Sequence, residues 1–236
     1  WENDSSMNMN IARDYPVAVV AKDSSNNEAI YVFGTIHTGE KFDGTSWSTL
    51  DASANIPYTV EKAFSGVVDN KIYVIGGHQY PYSYFVDASW STVTNYDISL
   101  NAAYSTVTDS SGSIYVIGGV DTCGNAVKTV GIYNVSENTW NMDTSLNYAR
   151  DYPVSTVIED GSNTYIYVFG GGNNIVEKYD ISNNTWEQSN GSSFDYMPYP
   201  VSKAFIGNVG DDVYIFGGNQ STRQNIWTTS ESFDIS

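Results

Sequence analysis

One six-residue pattern, written five times, constrains the fold of this chain more than any other feature. IYVIGG occurs at Ile72–Gly77 and again at Ile114–Gly119, and near copies begin at Ile30, Ile166 and Val213. Each copy alternates β-branched and aromatic residues and then reaches glycine, which is typical of a β-strand that ends at a tight turn. The equivalent glycines are 42, 42, 52 and 47 residues apart, and they are Gly34, Gly76, Gly118, Gly170 and Gly217. A period of roughly 40–50 residues built from strands predicts propeller blades.

Other short patterns recur with the same period. ARDYPV occurs at Ala12–Val17 and again at Ala149–Val154, ahead of two of the hexamers, and it begins a predicted inner strand. An aromatic residue followed by Asp or Asn comes after each hexamer, at Phe42-Asp43, Tyr96-Asp97, Tyr133-Asn134, Tyr179-Asp180 and Phe233-Asp234. A tryptophan then follows in several copies, at Trp47, Trp140 and Trp186. Trp47 and Trp140 are 93 residues apart, about two periods, which predicts that one tryptophan has been lost between them.

Together the strand that ends in Gly-Gly, the Tyr-Asp pair and the tryptophan resemble the kelch repeat. The resemblance implies an all-β chain, a β-propeller of kelch repeats with five blades of four antiparallel strands. The blades are expected at roughly 1–46, 47–99, 100–139, 140–185 and 186–236 of a single domain, and a further blade could lie outside the sequence. A two-layer β-sandwich of similar strand count is the rival fold, but it would not explain the tryptophan spacing.

The residues that do not repeat are the place to look for function. A single blade cannot bury both of its faces, so the recurring residues are expected to pack blade on blade. If the strands of a blade are called a to d, the b–c and d–a loops leave the sheet on one face, where propellers of this family usually bind. The candidate partner-binding residues, mostly from these loops, are Tyr80, Tyr82, Tyr84, Phe85, His78, His37, Arg13, Arg150 and Arg223.

Each group of candidates has a plainer interpretation as well. The aromatic residues of PYSYF are good anchors for a protein or a sugar, or they fold back over blade 2. Arg13 and Arg150 could offer charged forks to a carboxylate or an acidic sugar, or each pairs with its adjacent aspartate or a neighbouring blade. The two histidines and Cys123 could form a pocket, or they are polar residues of exposed loops. Their spacing does not match a metal site, so no metal and no cofactor is predicted.

Composition limits the partners. The net charge is −17, from 27 acidic and 10 basic residues, which disfavours nucleic acid and anionic lipid. No apolar run is long enough for a membrane helix, so no membrane insertion is expected. A composition rich in Asn, Ser, Thr, Tyr and Asp and poor in Lys indicates a secreted or cell-surface protein, although a single cysteine allows no internal disulfide. Five sequons, about the number that such a composition produces by chance, permit N-glycosylation at Asn3, Asn134, Asn183, Asn190 and Asn219.

Two functions follow. The first is a non-catalytic binding or structural module that uses the b–c and d–a face to bind a protein or glycan, outside the cell or within a larger assembly, with self-association possible. The second is a copper-radical oxidase of the galactose oxidase type, which the family resemblance brings in. Such enzymes need a cross-linked Cys–Tyr pair, two histidines and a second tyrosine. The residue types are present, but their order differs and no Tyr-His pair occurs, so no catalytic residue is predicted.

Overall fold

The computed structural model describes residues 8–14, 16–54, 56, 63–76, 83–87, 89–93, 100–102, 104–209, 212–218 and 230–234. The chain divides into two compact units. The first comprises Trp1–Ile98 with Val135–Thr139, and the second comprises Ser99–Asn134 with Trp140–Ser236. In the described residues both units are built from antiparallel strands, with one short 3₁₀ turn at Ala52–Ala54 and no α-helix. No helix in this part of the chain has the length and apolarity to span a membrane.

The first unit contains two four-stranded antiparallel sheets, each with its strands in chain order. Sheet 1 consists of β1 (Val17–Lys22), β2 (Glu28–Gly34), β3 (Ile36–Phe42) and β4 (Trp47–Thr49). Sheet 2 consists of β5 (Ala63–Val68), β6 (Lys71–Gly76), β7 (Ser83–Asp87) and β8 (Ser89–Val93). Valine, isoleucine, tyrosine and phenylalanine dominate β2 and β6, as expected for the hexamer strands.

The second unit contains three larger sheets and a short ribbon. The ribbon pairs β9 (Leu100–Ala102) with β12 (Val120–Asp121). Sheet 3 consists of β10 (Ser105–Thr108), β11 (Ser113–Ile117), β13 (Val127–Asn134) and β14 (Thr139–Arg150). Sheet 4 consists of β15 (Pro153–Asp160), β16 (Asn163–Gly170), β17 (Glu177–Asp180) and β18 (Thr185–Gln188). Sheet 5 shows β19 (Phe205–Val209), β20 (Asp212–Phe216) and β21 (Ser230–Asp234).

The tryptophans belong to the last strand of the sheet that precedes them. Phe42 pairs with Trp47 and Tyr179 pairs with Trp186, and their rings lie 5.2 and 4.9 Å apart. The expected blade boundaries placed these tryptophans at the start of the next blade. The sheets instead run from Val17 to Thr49 and from Pro153 to Gln188, because the aromatic pair holds the third and fourth strands together.

The tryptophan that the sequence analysis counted as lost is present at a shorter spacing. In sheet 2, Ile72 pairs with Val86, and Val86 pairs with Trp90. These residues occupy the register that Ile166, Tyr179 and Trp186 occupy in sheet 4. The expectation of a missing tryptophan is therefore wrong. In the sequence, Tyr96-Asp97 matches the recurring aromatic–aspartate pair, whereas the third strand of sheet 2 ends ten residues earlier, at Asp87.

The glycine pairs after β11 and β16 let the chain pass close to Arg150, the last residue of β14. Gly119 donates its N–H to the carbonyl oxygen of Arg150 at 2.8 Å. A Cβ added at Gly118 would lie 2.9 Å from that same oxygen, and one at Gly171 would lie 2.6 Å from Cβ of Arg150. Both glycines also have positive φ angles, 65° and 74°. A side chain at either position would therefore be strained and would push away Arg150, the last residue of β14, which accounts for the glycines at these two places.

Candidate binding rim

Arg150 is buried at the end of β14, in the ARDYPV motif. Its side chain is 0% exposed, and its Nε donates to Oε2 of Glu177 at 2.7 Å. Nη1 donates to the carbonyl oxygen of Gly170 and to Oδ1 of Asn173, and Nη2 donates to the carbonyl oxygen of Ile175 at 2.8 Å. Burial lowers the pKa of Arg150, and the Glu177 carboxylate opposes that shift. The guanidinium therefore fixes the loop that follows β16 rather than facing solvent.

Arg13 makes the same arrangement in the first unit. Its Nε and Nη2 donate to Oε2 of Glu40 at 3.3 Å, Nη1 donates to the carbonyl oxygen of Gly34, and Nη2 donates to that of Thr38. In both cases the partner glutamate lies 27 residues after the arginine. Its carboxylate also accepts the backbone N–H of the residue three positions before the arginine, which is Asn10 for Arg13 and Asn147 for Arg150. The ion pairs are made with these glutamates and not with the aspartates that follow the arginines.

The loop that Arg150 holds, residues 171–176, in turn holds the segment between β18 and β19. Gly171 donates to the carbonyl oxygen of Val201 at 2.8 Å. Asn174 and Met197 exchange two hydrogen bonds, one from the Met197 N–H and one from Nδ2 of Asn174. We call loop 171–176 together with segment 189–204 the rim. Because these are the b–c and d–a connections of sheet 4, they leave the sheet at the same end of its strands.

Segment 189–204 alternates between anchors and exposed aromatic residues. Met197 and Val201 are buried in the core formed by sheets 4 and 5, and Phe194 packs against it. Tyr196 and Tyr199 lie between these anchors and remain 46% and 48% exposed. The rim thus presents two tyrosines on a segment whose backbone is fixed, an arrangement suited to recognition at low entropic cost.

The core beneath the rim is apolar and aromatic. Tyr167 lies under Phe194 with their rings 6.3 Å apart in an edge-to-face arrangement. Burial raises the pKa of Tyr167 to about 12, so its hydroxyl stays protonated throughout the neutral range.

Two non-glycine residues with left-handed backbone meet where the rim segment ends, since Lys203 belongs to that segment and Tyr152 lies against it. Tyr152 has a φ of 51° and Lys203 a φ of 59°. The Lys203 N–H donates to the carbonyl oxygen of Tyr152, and its Nζ lies 4.6 Å from the centre of the Tyr152 ring. Residues held in this sparsely populated conformation concentrate at functional sites. Lys203 also supplies a cation over an aromatic ring in a strongly acidic chain.

Comparison with known proteins agrees with the repeated sequence pattern. The Kelch motif family matches residues 103–147. An F-box/kelch-repeat protein of Arabidopsis thaliana is 33% identical over 112 residues, which cover 45% of this chain and 26% of that protein. These matches support the resemblance of the chain to the kelch repeat, and the family model itself covers only residues 103–147. The matched part spans about a quarter of this plant relative's length.

A solved structure shows the fold. The solved structure of YjhT, a kelch β-propeller, superposes with a TM-score of 0.65 at 18% sequence identity. The superposition covers 89% of this chain and 74% of YjhT. The predicted all-β propeller fold is confirmed, while the number of five blades and their division within one domain stay predictions.

Several candidate binding residues lie in strands and not in the b–c loops that the sequence predicts for them. Tyr84 and Phe85 belong to strand β7 and not to a loop. His37 belongs to β3, because Thr35 alone separates β2 from β3, and a ring nitrogen of His37 lies 2.9 Å from the carbonyl oxygen of Ile56. Four other binding candidates lie outside the described residues, namely His78, Tyr80, Tyr82 and Arg223.

Cys123 and the described asparagines of the sequons lie in separate turns and loops or at a strand end. Cys123 is exposed in the turn after β12, where its N–H donates to Oδ1 of Asp121. Asn183 and Asn190 are exposed, Asn134 ends β13, and Asn3 and Asn219 lie outside the described residues. Among the residues that the structure describes, no three His, Cys, Asp or Glu side chains come together as a metal site.

Sequence reasoning missed the residues that build and form the rim. Glu40 and Glu177 open the repeated motifs EKFD and EKYD, and their equal distance from the ARDYPV arginines was a usable signal. Tyr199 lies in MPYPV and Tyr196 immediately precedes it, and the likeness of MPYPV to the ARDYPV motif predicts the start of an inner strand there. The inner strand of sheet 5 begins later, at Phe205, and leaves MPYPV in the rim.

Proposed function

We propose that this kelch propeller is a non-catalytic binding module that uses its b–c and d–a face to bind a protein or glycan partner. The observation that carries the proposal is the rim, in which Tyr196 and Tyr199 stand exposed on a segment fixed by Met197, Val201 and the 171–176 loop. Tyrosine offers a broad apolar face together with a hydroxyl, and it loses little freedom on binding. Both peptides and sugars are recognised by such side chains.

The setting of the rim supports the same function. Lys203 adds a cation within the segment, and Tyr152 next to it adds a third aromatic ring. The partner is expected to be neutral or cationic overall, because the net charge of −17 repels acidic partners. An extracellular or cell-surface location, or a place in a larger assembly, belongs to this proposal and rests on composition.

The test is selection of ligands by the intact chain from two defined probe sets, a glycan array and a peptide library displayed on phage. We expect enrichment from one set, and loss of that enrichment in the double variant Tyr196→Ser/Tyr199→Ser. Met142→Ser is the matched control, because Met142 is 41% exposed on β14 and lies outside the rim. Loss of one tyrosine contact is expected to weaken binding about tenfold.

Two outcomes would count against the proposal. Enrichment that survives the loss of both tyrosines would place the binding surface elsewhere. The absence of any enrichment from either set by wild-type protein would remove the support for a binding function of this face.

A further inference from the structure

One register position of the repeat carries glutamate in three sheets. It lies on the third strand, opposite the third residue of the hexamer, and it opens the recurring motifs EKFD, EKYD and ESFD. The pairs across the two strands are Val32–Glu40 in sheet 1, Val168–Glu177 in sheet 4 and Ile215–Glu231 in sheet 5. The position of Glu231 is therefore that of Glu40 and Glu177.

Glu40 and Glu177 each take two kinds of donor from the residues that precede the inner strand of their sheet. Each carboxylate accepts from an arginine side chain and from the backbone N–H of the residue three positions before that arginine. The side chains of both ion pairs are 0% exposed. A carboxylate at this depth needs such donors, because desolvation of a charge is costly unless the charge is paired.

Val201 has the place relative to sheet 5 that Arg150 has relative to sheet 4. Each lies four residues before the inner-strand residue that pairs with the fourth hexamer residue. The carbonyl oxygen of each accepts, at 2.8 Å, the N–H of the second glycine of the preceding hexamer. Two residues later, Tyr152 and Lys203 share the left-handed backbone, with φ angles of 51° and 59°. The backbone of the repeat is therefore kept, and a valine replaces the arginine.

The second donor is replaced as well. The residue three positions before Val201 is Pro198, which corresponds to Asn147. One position earlier, Leu146 and Met197 are both buried, which supports this alignment. Proline has no N–H and valine has no side-chain donor, so neither residue can make the hydrogen bond that its counterpart makes. Sheet 5 thus keeps the acid of the buried pair and replaces both of its donors.

A carbonyl acceptor of the arginine is kept too. Nη1 of Arg150 donates to the carbonyl oxygen of Gly170, and the equivalent glycine of sheet 5 is Gly217, with a φ of 67° against 66°. Lys203 is the described cation nearest to Val201 in the sequence, but its Nζ lies over the ring of Tyr152, 4.6 Å from the centre. The place of the missing arginine therefore suits a cation from outside the chain.

We propose that Glu231 binds the guanidinium of an arginine side chain in a peptide partner, in the place that Arg150 fills before sheet 4. The inference rests on the proposed function, because it names a peptide as the partner and the rim as the surface. A guanidinium donates in a planar fork to a carboxylate and to carbonyl oxygens together, as Arg150 does. Tyr199 lies two residues before Val201 on the same fixed segment, which brings the exposed tyrosines next to this place. The net charge of −17 favours a cationic partner.

An NMR titration of the full chain with L-argininamide tests the guanidinium site directly. L-citrullinamide is the matched probe, because a neutral urea group replaces the guanidinium in a molecule of nearly the same shape. Backbone amide signals of Val201, Gly217 and Glu231 should shift saturably with argininamide and far less with citrullinamide. Glu231→Gln should weaken argininamide binding at least about tenfold, since hydrogen bonds to a charged group are lost. Glu159→Gln removes the same charge at an exposed place on β15 and should bind as wild type does.

Val201→Arg reverses the replacement that sets sheet 5 apart. The introduced side chain should pair with Glu231 within the chain and so abolish argininamide binding. Selection from the phage peptide library then identifies the partner class. Wild-type protein should enrich peptides with arginine at one position, and Glu231→Gln should lose that preference.

Four results would overturn the inference. They are equal shifts with citrullinamide, unchanged binding in Glu231→Gln, an equal loss in Glu159→Gln, and tighter binding in Arg223→Gln, which would show that Arg223 of the same chain already fills the place. The proposed function fails separately. Library peptides that bind through the exposed tyrosines with no preference for arginine would overturn this inference alone, whereas argininamide binding without any enriched peptide would count against the binding module and not against the guanidinium site.

Discussion

Arg150 carries a positive charge into the interior of the second unit, and the structure compensates it with Glu177 and three further acceptors. A buried ion pair adds little to stability in itself, but removal of one partner leaves the other charged and desolvated. The repetition of this arrangement at Arg13 and Glu40 indicates that it positions the loop after the hexamer strand in both units.

Replacement of Arg150 by methionine is therefore expected to lower the free energy of unfolding by about 3–5 kcal/mol. Urea unfolding followed by tryptophan fluorescence would measure the change. Lys41→Met is the matched control, because Lys41 and Asp23 lie 3.4 Å apart with side chains that are 26% and 15% exposed. That pair should contribute about 1 kcal/mol or less. Equal effects of the two substitutions would show that the burial of Arg150 has no special role.

The close contacts of Gly171 predict a second effect on stability. Gly171→Ala should destabilise the chain by at least about 2 kcal/mol, because a Cβ there meets Arg150 at 2.6 Å and the residue has a φ of 74°. Gly124→Ala has a similar φ of 85° with nothing within 4 Å, so it should cost only about 1 kcal/mol. Thermal unfolding of the two variants would compare them, and a larger loss at Gly124 would refute the close approach.

The turns between strands are held by aspartate side chains that accept backbone N–H groups. Asp43 accepts from Thr45 and Ser46 in the β3–β4 turn, and Asp180 accepts from Asn183 in the β17–β18 turn. These hydrogen bonds stabilise the ionised carboxylates, so the pKa values of Asp43 and Asp180 lie below the usual range. A group with a lowered folded pKa stabilises the fold fully above its unfolded pKa and loses that effect as the pH falls.

Acid should therefore weaken these turns as the pH falls below about 4, the ordinary pKa of aspartate. The Asp43 carboxylate should titrate in NMR spectra with a midpoint well below that value. Asp43→Asn keeps an acceptor oxygen but cannot titrate, so its unfolding free energy should depend less steeply on pH between about 4 and 2. An ordinary midpoint for Asp43 would show that the turn does not favour the charged form.

The sequence predicts the strands well where the pattern is local. The hexamers and the strands that pair with them follow from alternation and from the glycines that end them, as β2, β6, β11, β16 and β20 show. It predicts the register of sheet 2 poorly, because the aromatic–aspartate pair Tyr96-Asp97 fits the repeat, whereas the third strand ends at Asp87, which follows Val86 and not an aromatic residue. Pairing with Ile72, a long-range contact, decides between them.

At the scale of the whole molecule, the repeat predicts the kelch propeller fold, while the rim is harder to predict. Tyr196 and Phe205 look like core residues in the sequence, since aromatic residues fill the strands around them. Tyr196 is 46% exposed and Phe205 is 75% exposed, because contacts with segments distant in the sequence decide which side chains are covered. The predicted binding loops and the rim share the same end of the strands, but the aromatic residues singled out in the sequence were those of PYSYF.

Binding at the rim is tested most directly by an NMR shift map of the full chain, recorded with a ligand selected from the glycan or peptide set. If the ligand binds at the rim, backbone amide shifts should change in loop 171–176, in segment 189–204 and near Tyr152. Shift changes confined to the turns at the other end of the strands, residues 109–112, 161–162 and 181–184, would contradict it. They would place binding on the face formed by the a–b and c–d turns.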